Sequence, residues 1–330
     1  MNPKQWISVD DQLNLLKSRG LHISDEPNAK EYLKRIGYYR LSGYFYSMRQ
    51  ISGEISLLEN GRKPIGEVKT RCIVLDEFKP NACFQDAVEL YIFDKKLRLL
   101  VLDALERIEI AIRVDIAYLL GQSDKYAYLN PSMLHTSFCS DLNKTNKGVS
   151  QYHEWLSKHA QLINRSKEEF IKHNKATYGL PLPIWVACEV WDFGCMSTLF
   201  SGMKKNDQDS ISQKYNINDG QIFASWLRSL NYLRNVCAHH ARLWNRNIID
   251  QPKMPSATPQ ISWVSIFDEK HKSRCFLLLC LCRHLLETIN PSSSWSQRTK
   301  EHLKNFPDLG HIGLDLYGMG APQNWENIWA

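Results

Sequence analysis

The chain contains no C-x-x-C pair, although it has nine cysteines at 72, 83, 139, 188, 195, 237, 275, 280 and 282. An odd number without paired spacing argues against a zinc ribbon or a disulfide framework. Several of these cysteines sit in apolar runs such as Phe276-Leu277-Leu278-Leu279-Cys280-Leu281-Cys282, where a thiol acts as a small buried hydrophobe. No stretch reaches the about 18 uncharged apolar residues of a membrane span, and Met1-Asn2-Pro3-Lys4-Gln5-Trp6 lacks the apolar run of a signal peptide. The expectation is a soluble protein of a reducing cytoplasm with no membrane partner. Neither G-x-x-x-x-G-K-[ST] nor G-x-G-x-x-G occurs, so no nucleotide cofactor is implied. Internal repeats and low-complexity tracts are also missing.

Charge of one sign is scarce as well. The net formal charge is +6 over 330 residues; residues 1–82 hold 13 Lys/Arg against 10 Asp/Glu, and the remainder 28 against 25. So even a spread permits nucleic-acid binding without demanding it, because that function needs a clustered basic face. What is abundant is apolar: 43% hydrophobic and 11% aromatic residues are enough to fill a large core.

The apolar residues recur at helical intervals. Val9, Leu13, Leu15 and Leu16 define a helix over 9–19, and Ala29, Tyr32, Leu33 and Ile36 another over 28–40. Residues 50–82 change character: Gly53, Gly61, Pro64, Gly66 and Pro80 surround β-prone pieces such as Arg71-Cys72-Ile73-Val74-Leu75, which reads as a long loop or a small β-like insertion. From Phe84 to Leu120 no glycine or proline interrupts the pattern. Roughly 35 helical residues would run about 50 Å, either as one spine or as two helices with an unmarked bend. Further helices are expected over 150–174, 185–204, 219–244 and 274–289, with a looser tail after Asn290. The fold class is mainly α, an irregular helix bundle with a small insertion near 50–82. The expected division is 1–82 as an N-terminal helical segment with the insertion, 83–290 as the main helical domain, and 291–330 as a C-terminal tail packed on the bundle.

One segment carries chemistry. Arg234-Asn235-Val236-Cys237-Ala238-His239 lies in the periodic stretch Ser225 to Trp244. On a continuous helix Asn235, His239 and Arg242 share a stripe, Arg234 lies 100° round from it, and Trp226, Leu230, Leu233 and Cys237 form the buried back. Arginine grips phosphate with parallel hydrogen bonds, and histidine takes or gives a proton near neutrality. RNA supplies its own nucleophile, the 2′-hydroxyl, so such a row could cleave it without a metal. Arg-x4-His is a common spacing, however, and a helix-surface cation beside a polar helix edge would look the same.

The surroundings decide. Residues 225–246 resemble the signature of the abortive-infection (Abi, AbiD/AbiF-like) proteins of bacteria. So do Ile36-Gly37-Tyr38-Tyr39-Arg40-Leu41-Ser42-Gly43-Tyr44, Glu106 to Arg113, Pro183-Ile184-Trp185 leading to Glu189 and Phe193-Gly194, and Met319 to Glu326. The resemblance implies a helical bundle of the HEPN superfamily, whose members often act as metal-independent RNases through an Arg-polar-x3–5-His motif, here matched by Arg234, Asn235 and His239. It implies a homodimer with a composite site, RNA as substrate, and an antitoxin RNA or small protein as restraint. His240 and Arg242 would support RNA binding. Residues 50–82 match no part of the pattern.

Other residues have two readings. Tyr38-Tyr39-Arg40 with Tyr44 and Tyr46 could stack bases and hold phosphate, but at helical spacing such aromatics are more often core. Glu109 and Arg113, four apart, form an intrahelical ion pair or orient the catalytic arginine or histidine from a facing helix; Glu189 carries a similar possibility. Adjacent His239-His240 and Cys280-x-Cys282 diverge on a helix, so neither metal nor cofactor is expected. The functional expectation is an endoribonuclease toxin of phage defence. Its alternatives are a catalytically silent RNA- or protein-binding defence module and a helical scaffold.

Overall fold

The computed structural model describes residues 5–56, 70–142 and 148–329. The chain is mainly helical and divides into two compact units, Met1–Lys96 with Glu301–Gly318, and Leu97–Lys300 with Met319–Ala330.

In the first unit, helix Val9–Ser18 starts from a capping box. Ser8 Oγ accepts the Asp11 N–H at 3.1 Å while the Asp11 carboxylate accepts the Ser8 N–H at 3.3 Å. Asp25 caps helix Glu26–Ile36, with Pro27 in its first turn. The apolar spacing predicts a helix as far as residue 40. It stops at Gly37, whose φ of +91° lies outside the helical region, and a new helix, Tyr38–Phe45, begins at once. Leu41, Tyr44 and Phe45 face inward; the Tyr44 hydroxyl donates to Asp94 at 2.6 Å, and the Phe45 ring meets Phe78 and Phe84. The insertion is β-like where it is described. Arg49–Ile51 pairs antiparallel with Val74–Phe78, and Ile55–Ser56 with Thr70–Arg71. The rest of it, 57–69, lies outside the described residues.

The uninterrupted apolar pattern becomes a single 40-residue helix, Phe84–Ser123, about 60 Å long at 1.5 Å per residue. From Leu97 onward it belongs to the second unit and buries Val101, Ala104, Leu105, Ile108, Ile112, Ile116 and Leu120. The expected helix over 150–174 is two, Gln151–Arg165 and Glu169–Tyr178, parted at Ser166 by extended backbone. That over 185–204 is also broken: Asp192 leaves the helical region and caps Phe193–Gly202 by accepting the Cys195 N–H at 2.7 Å. After Asn290 the chain is more ordered than expected, with helix Trp295–Lys304 and the buried indoles of Trp295 and Trp329 donating to the carbonyls of Leu100 and Ser296. The cysteines behave as small hydrophobes: Cys188, Cys195, Cys237, Cys275, Cys280 and Cys282 are buried, and burial pushes the thiols of Cys188 and Cys195 up to about 12.

Candidate active site

Helix Gly220–Ala238 carries the motif. Asp219 caps it by accepting the Gln221 N–H at 2.8 Å, and Gly220 packs so tightly on Gln208 and Asp209 that a Cβ would come within 2.4 Å. Trp226, Leu230, Leu233 and Cys237 are fully buried, as their spacing predicts. The helix packs against Phe193–Gly202, Lys205–Gln213 and Cys275–Ile289. Its buried hydroxyls pin the chain that follows: Ser225 Oγ accepts the Lys253 N–H at 2.8 Å, and Ser229 Oγ donates to the Asp250 carbonyl at 2.5 Å. The helix is therefore fixed on its back and both flanks.

Its end comes earlier than predicted by the apolar spacing, which runs to residue 244. The His239 N–H donates to Asn235 O, the His240 N–H to Cys237 O and the Ala241 N–H to Val236 O, each at 3.0 Å. The last two bonds form a Schellman motif, with His239 at the C-cap and His240 at φ +55° in the left-handed position that glycine usually takes. Histidine is one of the few other residues enriched there. Past it the chain leaves the helix axis, Leu243 and Trp244 plunge into the core, and Arg98 on the long helix donates to the Ala241 carbonyl at 3.3 Å. Arg242 therefore does not share a helical stripe with Asn235 and His239; it lies in the turn beyond, half-buried.

Within the motif the two chemical groups have opposite settings. His239, His240 and Asn235 are exposed, whereas Arg234 is half-buried with Nη1 3.4 Å from Asn235 Oδ1. Arg234 lies close enough to Glu109 for its charge to act on that carboxyl. Glu109 and Arg113 form the ion pair their spacing predicts, with side chains 14% and 15% exposed, and Arg113 also donates to the Trp191 carbonyl. Burial pushes the Glu109 carboxyl above its ordinary value; the positive charges of Arg113 and Arg234 oppose the shift without cancelling it, and Asp192 adds to it.

The wall behind this pair was not legible from single motifs. Trp191 Nε1 donates to His159 Nδ1 at 2.9 Å, and the His159 ring stacks on Trp155 at 5.2 Å. Burial pushes His159 down to about 4, so at neutral pH it is the uncharged acceptor this indole needs. Burial alone would raise Asp192, but the Lys158 ammonium at 2.8 Å and the Cys195 N–H hold its carboxyl below the ordinary value. Gly194 leaves room at this point: a Cβ there would stand 3.2 Å from Lys158 Nζ and 3.4 Å from Asn231 Oδ1, one helical turn before Asn235. An arginine within an apolar row, as at Arg98, is a sequence signal for the buried donor that meets the Ala241 carbonyl beyond the motif helix, not for this wall.

The second unit thus assembles Glu109 and Arg113 with Arg234, and Arg234 with Asn235; His239 and His240 follow at the helix end. Tyr39 and Arg40 belong to the first unit, where Tyr39 is 71% exposed and Tyr46 also faces solvent, while Tyr44 is core. Glu189 is exposed on the short turn Cys188–Val190. Among the described residues, no group of three or more His, Cys, Asp or Glu side chains is placed to hold a metal ion, and no helix is long and apolar enough to cross a membrane.

An α-helical unit that ends a buried-backed helix in Arg-Asn-x3-His, with an acid and a second arginine behind the first, gathers a fixed cation, an amide and imidazole rings at one helix end. The sequence model of the Abi-like proteins matches residues 31–245, a span that holds Glu109, Arg113, Arg234, Asn235 and His239 and leaves out the tail Met319–Glu326, and the chain belongs to that family. The family is one of abortive infection, a phage-defence response. Neither the curated proteins nor the solved structures yield a match.

Proposed function

We propose that this protein is a metal-independent endoribonuclease of the HEPN type, acting as the toxin of an abortive-infection system. The observation that carries the reading is the split setting of the motif: an exposed His239 beside a half-buried Arg234 that is backed by Glu109 and Arg113. His239 takes the proton from the ribose 2′-hydroxyl or returns one to the leaving 5′-oxygen. Arg234 stabilises the charge that grows on the phosphoryl oxygens, held in place by the Glu109–Arg113 pair as positioning residues. Asn235 orients Arg234 and offers an amide to the phosphate, and His240 and Arg242 flank the strand.

One Arg and one His nearly 140° apart on an ideal helix make a poor site alone, and two copies facing one another supply two of each. The long helix offers a surface for the second copy. Ile110, Val114 and Tyr118 recur at intervals of four, all exposed, Tyr118 by 76%, and each follows the Glu109–Arg113 side of the helix by one position. Trp185, also exposed, extends this patch over Gly121. A homodimer across the patch sets two motif helices beside a two-fold axis. An antitoxin RNA or small protein restrains the toxin by covering the same groups.

The test is RNA degradation by the purified protein in EDTA. Wild type yields a 2′,3′-cyclic phosphate or 3′-phosphate with a 5′-hydroxyl, and Arg234→Ala and His239→Ala each lose activity with an unchanged fold. A 5′-phosphate product, or cleavage by either variant at the wild-type rate, overturns the mechanism. Ile110→Asp with Tyr118→Asp yields a monomer that no longer cleaves.

A further inference from the structure

A cleft of about 510 Å³ lies in the first unit, lined by Gln5, Trp6, Gln12, Arg19, Tyr38 and Tyr39. Its rings are unusually exposed: Trp6 by 87% and Tyr39 by 71%, with Tyr38 set edge-on to Tyr39 at 5.8 Å between centroids. Aromatic faces left in water cost the fold free energy and are retained where something stacks on them. Ile7 and Leu15 add two aliphatic side chains, and the remainder of the lining is polar. Gln5 and Gln12 carry amides with both donors and acceptors, Gln12 donating to the Ile7 carbonyl at 3.2 Å, and the Arg19 guanidinium is held at one end by Asp76 at 3.1 Å. The chain from Lys30 to Arg49 carries five basic residues against the single acid Glu31, and four of them are ion-paired: Lys30 with Asp10, Lys34 and Arg35 with Glu31, and Arg49 with Asp76.

We propose that this cleft binds unpaired bases of single-stranded RNA, as a substrate-holding site separate from the Arg234–His239 motif. The proposal rests on RNA being the substrate. Planar rings with open faces take bases of any identity, and the amides meet the base edges. A groove built for a protein helix would present a longer row of aliphatic anchors than Ile7 and Leu15 and would not need the amides. Bases in a duplex are already stacked on each other, so the cleft selects loops and unpaired stretches.

The experiment measures binding without cleavage. The full-length chain carrying His239→Ala is titrated against a short, labelled, unstructured oligouridylate and followed by fluorescence anisotropy. Trp6→Ala and Tyr39→Ala each weaken binding by about tenfold, the order of one lost base–aromatic stack. Trp6→Phe and Tyr39→Phe, which keep a ring, restore binding to within about threefold of the parent. Both residues are so exposed that the thermal midpoint stays unchanged. Equal affinity of the double alanine variant and its parent overturns the proposal. So does a parent that binds no single-stranded RNA, or that binds duplex equally well, and so does loss of a protein partner with RNA affinity intact. Cleavage is scored separately, in the His239-containing chain. Binding through the cleft by a chain that never cuts RNA would end the nuclease reading and leave the cleft standing; cutting by a chain whose cleft variants bind normally would do the reverse.

Discussion

Replacing His240 tests the turn that sets the motif's histidines. At φ +55° an L-residue pays about 1–2 kcal/mol, because its Cβ crowds the following carbonyl. Glycine removes that strain, but its looser unfolded chain returns about 0.5–1 kcal/mol of it. Counting the backbone alone, the balance for His240→Gly is a gain of about 0.5–1 kcal/mol. In a unit of roughly two hundred residues this raises the melting temperature by about 2 °C. His240→Val, with branching at a carbon the left-handed region barely accommodates, moves the midpoint down by at least as much. Scanning calorimetry of the full chain reads both. A lower midpoint for His240→Gly, or an unchanged one for His240→Val, refutes the account of the helix end. RNA cleavage measured on the same samples separates two roles: if the ring touches substrate, His240→Gly becomes more stable and less active at once.

The Glu109 carboxyl, raised chiefly by burial, favours the fold when protonated, so its contribution is fully present below about pH 4.5 and lost as pH rises through its higher folded value. Glu109→Gln, which keeps an oxygen for Arg113, therefore leaves stability at pH 7 within about 1 kcal/mol and abolishes that acid gain in urea titrations, whereas Glu109→Ala strands Arg113 and costs about 3 kcal/mol. His159 behaves oppositely: held down to about 4 from 6.5, it stabilises the fold above pH 6.5 and loses that contribution, about 3 kcal/mol, as pH falls through 4. A His159→Gln chain, which keeps an acceptor for Trp191 but does not titrate, shows a flatter urea-unfolding profile over the same window; an equally steep one would show that His159 is not the responsible group.

Periodicity made the helices legible where one face is dry. Trp226, Leu230, Leu233 and Cys237 lie where the 3.6-residue repeat puts them, and the absence of glycine and proline after Phe84 does mean one helix. Periodicity failed at ends, for two different reasons. At Gly37 the stop signal was present but the apolar spacing ran through it, since Tyr38 to Phe45 resumes as a helix after a single residue. At His240 no signal was present, because the left-handed position is filled by histidine and the next apolar residues, Leu243 and Trp244, continue the helical spacing while lying off the helix. For the site, the i,i+4 pair Glu109–Arg113 was readable from spacing alone. Trp191 and His159 were not, because their contact spans 32 residues and involves a neutral histidine that looks like any other in the sequence.

The helix end also changes how the motif works. Arg234 faces side chains of another helix, close enough to Glu109 for its charge to act on that carboxyl, which is itself paired with the Arg113 that donates to the Trp191 carbonyl. His239 is held by backbone, its N–H on Asn235 and the following turn locked by Val236 and Cys237 carbonyls. The two groups of one short motif thus depend on different parts of the second unit. In the proposed reaction, disturbing the Glu109–Arg113–Trp191 wall should weaken phosphate stabilisation by Arg234 while leaving His239 in place; disturbing the His240 turn should do the opposite. A continuous helix through residue 244 would have tied both to one rigid rod. The capped end instead leaves His239 at a chain reversal, exposed at the rim, where a second copy or an RNA strand can approach it from outside the bundle.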